Sequence, residues 1–200
     1  MAVMMRRLAP PQPQGHLDAV GGRAVDDRAM RIDLGEWCIR SFSPADAESL
    51  VRYANNRRVS INLRDRFPYP YTRADAEAFL DAARAQRPES DFAIAGHDEV
   101  IGGIGFHRQT DVYRLSAEIG YWLGEPFWGR GIATRTVRAL ADWIFATTPL
   151  VRLYAHVFDW NPASARVLEK AGFALEGRMR RSVTKNGQII DQLSYALVRE

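Results

Sequence analysis

The sequence predicts an α/β domain with an antiparallel meander at its centre. Three strand-like runs, DFAIAGH (91–97), VIGGIGFH (100–107) and SAEIGYWLG (116–124), follow one another with only short polar links. Helical periodicity flanks them. Ala76, Phe79, Leu80 and Ala83 share a face before the meander, and Val137, Leu140, Ala141, Ile144 and Phe145 recur at helical spacing after it. A chain of 200 residues with 46% hydrophobic content is long enough to bury one good core.

Residues 1–30 mix Pro, Gly and charge without apolar period (APPQPQGHLDAVGGRAVDDRAM closes the stretch). They bury too little to offset ordering entropy, so a disordered tail is expected there and the folded domain over 31–200. WCIRSF (37–42) reads as a strand, after which Ser43-Pro44 opens a helix with Ser as cap and Ala45, Leu50 and Val51 facing inward. Residues 55–71 (NNRRVSINLRDRFPYPY) hold no period and are expected to form a long loop with at most one helical turn. Thr72, followed by Asp75, forms a capping-box variant that starts the next helix.

Beyond the meander and the helix from Gly131 to Thr147, LYAHVF (153–158) is a strand. Asn161-Pro162 then opens a helix that turns Val167, Leu168 and Ala171 inward and stops at Gly172. FALEGRMRR (173–181) and DQLSYALV (191–198) close the domain as a strand pair. The expected order is βααβββαβαββ, without internal repeats.

Composition excludes several function classes. No run approaches the roughly 20 apolar residues of a membrane span, so a cytoplasmic protein is expected. Cys38 is the single cysteine, and His16, His97, His107 and His156 show no ligand spacing, so neither a disulfide nor a metal site is expected. The net charge of +3 comes from arginines interspersed with acids, which suits a phosphate-bearing small molecule better than nucleic acid.

The chemistry is concentrated in FWGRGIAT (127–134), a glycine-containing loop between a strand and a long helix. Helix starts carry unpartnered N–H groups and partial positive charge, and glycine lets a ligand approach the backbone, so the junction reads as a phosphate site. Arg130, Arg135 and Arg138 are placed to add charge-assisted bonds. A dinucleotide fold would need a third glycine where Thr134 stands and an acid on the next strand, whereas Asp142 falls inside the helix. A Walker loop is excluded by the absence of G-K-[ST].

In order, AEIGYWL (117–123), FWGRGIAT, Asn161-x-x-Ser164 and EKAGF (169–173) resemble the GNAT acetyltransferase superfamily, closest to its RimJ/RimL-like ribosomal-protein N-terminal acetyltransferase branch. The resemblance runs from Leu34 to Val198. It implies a mixed, mostly antiparallel sheet with splayed central strands flanked by helices, and acetyl-CoA as co-substrate without a metal. The coenzyme pyrophosphate is then expected on Trp128, Gly129, Arg130, Gly131, Ile132, Ala133 and Thr134. Its pantetheine arm is expected along Tyr121, Trp122, Leu123, Asn161 and Ser164.

The family reaction is attack of a primary amine on the thioester, and an alkyl amine of pKa roughly 10 must first lose a proton. Glu118 matches the position of the general base in histone-acetylating members. Ser164 matches the serine assigned to the leaving thiolate in the ribosomal-protein branch and is expected to steady the sulfur by hydrogen bonding. Three positions depart from the family pattern: Trp128 replaces Gln or Arg, Leu168 replaces a frequent tyrosine acid, and Val183 replaces a carboxylate. The expected acceptor is a peptide N-terminus or a small amine, shaped by the loop at 55–71, and the expected assembly is a monomer or homodimer. A non-catalytic acyl-CoA sensor of the same fold is the alternative.

Overall fold

A computed structural model describes residues 30–200. Except for Met30, the stretch read as a tail lies outside them. Met30 itself exchanges hydrogen bonds with Ser41, through the Ser41 hydroxyl and the Ser41 N–H, both at 3.0 Å.

The first strands are short, β1 (Arg31–Asp33) and β2 (Cys38–Arg40), with Cys38 buried as a free thiol. The sequence just after Met30 is strand-like, but β1 has no place in the expected order, because three residues are too few to show alternation. Helices α1 (Ala47–Ala54), α2 (Arg57–Ser60) and α3 (Arg73–Ala85) follow. The loop at 55–71 thus holds its one helical turn, capped by Asn56, whose side chain accepts from the Arg58 N–H at 2.8 Å. The Thr72–Asp75 capping box forms as the sequence indicates.

Strands β3 (Asp91–Ala95), β4 (Val100–Arg108) and β5 (Ser116–Leu123) build the meander. Then come α4 (Ile132–Thr147), β6 (Arg152–Phe158) and α5 (Pro162–Lys170). The chain closes with β7 (Ala174–Lys185) and β8 (Gln188–Val198). That hairpin is longer than the sequence period suggested. Asn186 and Gly187, at φ 49° and 74°, make the tight turn, and irregular register near Met179 and Val183 hides the alternation.

One sheet of eight strands, in the order β1-β2-β3-β4-β5-β6-β8-β7, runs through the molecule. Every pairing is antiparallel except β5–β6, whose parallel arrangement requires the α4 crossover. Alternation sends Ala117, Ile119 and Leu123 into a core with Val137, Leu140, Ile144 and Leu168, beneath α4 and α5. The opposite face packs Ala93 and Trp122 against Leu50, Ala76 and Leu80 of α1 and α3.

β5 and β6 pair only at 116–118 with 152–154. β5 stays paired to β4 along its length, and β6 to β8, so beyond Glu118 and Tyr154 the sheet forks. Backbone groups on the inner edges of 119–123 and 155–158 are left without a strand partner. Interior polar groups are rarely left unpaired, so such an opening calls for a ligand or solvent.

The entry to α1 depends on Asp46, 6% exposed. Its carboxylate accepts from Arg40 Nη1 at 2.8 Å and Nη2 at 2.7 Å, and from the Ser43 N–H at 2.8 Å. Asp46→Ala removes this capping box and leaves the partly buried Arg40 guanidinium unpaired. The substitution is expected to lower the urea unfolding free energy by about 2–4 kcal/mol; a loss near zero would show that Arg40 is satisfied by solvent.

Candidate active site

The start of α4 differs from the other long helix starts. Side chains cap α3 and α5, and α1 continues from a turn capped by Ser43, whereas α4 begins at Gly131 with no side-chain cap and no acid in its first turn. Among the described residues, the N–H groups of 129–134 have no acceptor. Gly129 and Gly131 sit at φ 75° and 74°, where a side chain is strained, and nothing lies within 4 Å of the space a Cβ would take at either. Both glycines therefore serve backbone conformation and leave the amides open. The result is a run of open N–H groups at a positive helix start, a cradle whose physical chemistry suits an anion.

Trp128 fixes this loop to the fork. Its indole N–H donates to the Leu123 carbonyl at 2.7 Å, and the Arg58 guanidinium lies over the ring at 5.5 Å. A Trp at this position thus supplies an anchor in place of the family's polar side chain.

A cleft of about 1080 Å³ runs through the fork and is lined from both faces of the sheet. Glu118, Tyr121, Trp122, Leu123, Trp128, Gly129, Gly131, Ile132, Ala133, Thr134, Asn161 and Ser164 all line it. Arg130 does not. Its guanidinium lies over the Trp37 ring at 5.2 Å, beside that of Arg135 at 5.4 Å, while Arg138 donates to the Lys170 carbonyl at 2.5 Å. The guanidinium groups of Arg130 and Arg135 thus rest on Trp37 and that of Arg138 on a carbonyl, contacts that leave their charges in place beside the helix start.

On the α4/α5 face, Asn161 caps α5 by accepting from the Ser164 N–H at 3.1 Å. The Tyr121 hydroxyl meets Ser164 Oγ at 2.8 Å and the Ser164 carbonyl at 3.2 Å. The motif reading had valued Tyr121 for its backbone, yet alternation from the outward-facing Glu118 already puts residue 121 on the α5 side. Burial pushes this phenol up to about 12, with the Ser164 bond opposing in part. It therefore stays protonated at neutral pH. When Tyr121 donates to Ser164, the serine proton is free to point into the cleft.

The α1/α3 face carries the acid–base groups. Glu118 stands opposite His107 on β4 and Tyr154 on β6, and its carboxylate is paired with Arg64 from the loop after α2. His156, two residues beyond Tyr154 on the same face, lines the cleft with its Nδ1 buried and unpartnered among the described residues. Burial lowers its pKa and outweighs the attraction of Glu118, which keeps the ring neutral. Sequence reasoning missed Arg64 and His156. Nothing in a periodless loop reveals which strand residue its arginine will reach.

A profile of the family described as "Acetyltransferase (GNAT) domain" matches residues 37–174. The chain belongs to the GNAT acetyltransferase family. YoaA, an uncharacterized N-acetyltransferase of Bacillus subtilis, is 38% identical over 101 residues, 50% of this chain and 56% of YoaA. Like the next two relatives, it is spanned over little more than half its length. YdaF of the same organism is 30% identical over 166 residues, 80% of this chain and 90% of YdaF. Among solved structures, Mycobacterium smegmatis RimJ in complex with CoA-disulfide superposes with a TM-score of 0.72 at 25% identity, covering 81% of each chain. The GNAT fold and the RimJ/RimL-like branch expected from the motifs are thus found. Among the described residues no helix is long and apolar enough to cross a membrane, and no cluster of His, Cys, Asp or Glu is placed to hold a metal.

The buried phenols set an alkaline limit. Burial pushes both Tyr71 and Tyr121 up from 10.0 to about 12. Each binds its proton more tightly folded than unfolded, so the stability this contributes is complete below pH 10 and lost as pH rises toward 12. Urea unfolding is expected to show this decline, less steep in Tyr121→Phe. An identical slope in the variant would mean that Tyr121 is solvated.

Proposed function

We propose that the chain is an acetyl-CoA-dependent N-acetyltransferase whose coenzyme enters the fork from the α4/α5 side and whose amine acceptor enters from the α1/α3 side. The observation that carries this reading is the run of unpartnered amides at 129–134 opening beside the unpaired edges of β5 and β6. Pyrophosphate fits the amides, and the amide-bearing pantetheine arm can pair with strand edges as a further strand would. The thioester then lies near the point of the fork, between Glu118 on one face and Ser164 with Tyr121 on the other.

In this reading Glu118 takes a proton from the incoming ammonium as Arg64 yields its place. The amine nitrogen attacks the thioester carbonyl carbon, the C–N bond forms and the C–S bond breaks. Sulfur leaves as thiolate, stabilised by the Ser164 hydroxyl, and the second proton that the nitrogen sheds on becoming an amide passes through water to the sulfur, which completes coenzyme A. Tyr121 orients Ser164 by its own hydrogen bond and supports the role that a tyrosine at Leu168 would otherwise fill. The acceptor is a primary amine, at a peptide N-terminus or on a small molecule, encountered in the cytoplasm where acetyl-CoA is available.

Calorimetric titration of acetyl-CoA, followed by thiol release with peptide and small-amine acceptors, tests the reading. Binding with acceptor-dependent release is expected. Glu118→Gln is expected to lower kcat by about 10²–10⁴ with acetyl-CoA affinity nearly unchanged. Gly131→Val is expected to weaken acetyl-CoA about tenfold or more, since it strains the left-handed cap and crowds the cradle. The Arg64–Glu118 pair favours one second reading, a coenzyme-binding sensor without chemistry, and that reading predicts binding but no thiol release with any acceptor.

A further inference from the structure

A glycine inside a strand commonly answers a need for positive φ or for close approach of another group. Gly120 of β5 answers neither. It is absent from the positive-φ glycines, and no atom beyond its chain neighbours lies within 4 Å of the place a Cβ would occupy. The glycines of β4 behave differently. A Cβ would come within 2.4 Å of the Trp122 carbonyl at Gly102, 2.7 Å of Trp122 Nε1 at Gly103, and 2.4 Å of Asp91 Oδ1 at Gly105. Protein already fills those places, whereas the place over Gly120 is open.

That space belongs to the cleft. Gly120 shares its face with Glu118 and Trp122, lies opposite Gly105 in register, and falls just past the last β5–β6 pair. The Trp122 indole leans over Gly103 and meets Phe67 edge-on at 5.5 Å, so the boundary away from Glu118 is aromatic. An amine nitrogen held at Glu118 therefore has, within a few bonds, a space with no protein atom in it, bounded by the Trp122 ring and by Asp91, which fills the place over Gly105.

We propose that the space over Gly120 is a subsite for a substituent on the carbon that bears the acceptor amine, and that Gly120 sets the preference for such branched amines over unbranched alkylamines. The inference rests on the acyltransferase reading and gives its acceptor a chemical class. Gly120 is a specificity position through the direction of the missing side chain, which is the face of Glu118 and Trp122. Its backbone accepts a side chain without strain, and valine favours a strand.

Two probes separate this inference from the reading beneath it. Each is coenzyme A joined through sulfur to an acetamide, –S–CH₂–CO–NH–R, with R either the residue of phenylalanine amide, branched next to nitrogen, or n-butyl. Calorimetry with the full chain is expected to show the branched probe binding about tenfold or more tighter than the linear one. Gly120→Val should abolish that advantage, read as the ratio of the two probes because both carry the same coenzyme and cancel any effect on the shared strand edge, with Gly120→Ala intermediate and thermal melting confirming that both variants fold. An unchanged ratio in Gly120→Val, or equal weakening of coenzyme A and both probes, overturns the inference. Failure of coenzyme A itself to bind the wild-type chain overturns the acyltransferase reading.

Discussion

Three residue pairs, 116–118 with 152–154, are all that join the two halves of the sheet. Each flanking strand is fully satisfied on its outer side, β5 by β4 and β6 by β8, so the inner edges can stay open without unravelling either half. The core that spans this join, with Ala117 and Ile119 on one side and Leu153 and Ala155 on the other, sits under α4 and α5 and holds the halves at a fixed angle. A closed sheet would satisfy more backbone but would leave no passage. The site depends on this incomplete pairing.

The fork also divides labour between the faces of the sheet. Period-two alternation along β5 sends Glu118, Gly120 and Trp122 one way and Ile119, Tyr121 and Leu123 the other. The α4/α5 face thus combines a helix start bare of caps with Ser164, whose N–H is held by Asn161 and whose hydroxyl is held by Tyr121, an arrangement suited to phosphate and sulfur. The α1/α3 face carries Glu118, its Arg64 partner, a neutral His156 and an aromatic boundary, an arrangement suited to an amine that must lose a proton.

Much of this was legible in the sequence because it is local. Caps at Thr72 and Asn161, the glycine loop before α4 and the meander are written within a few residues of where they act, and each formed as read. The fork was foreseen only through family resemblance, since strand pairing is decided by residues far apart in sequence. β1 was too short to show a period, and the bulges of β7 masked the full length of a hairpin whose two strands were legible as a pair. At the site, position was legible and partnership was not. Arg130 was read as a phosphate ligand from charge and place, but the Trp37 ring that its guanidinium covers is 93 positions away in the chain. Tyr121, Arg64 and His156 gained their roles only when the strands and loop came together.

In the proposed enzyme, the open amides at 129–134 and the unpaired edge of β5 form one coenzyme site. Amide chemical shifts of isotopically labelled protein, followed by NMR as coenzyme A is added, address it most directly. The largest changes are expected on residues 129–134 and on the β5 amides beyond Glu118, while the outer strands β1 and β7 stay still. Binding that leaves both segments unmoved would contradict it.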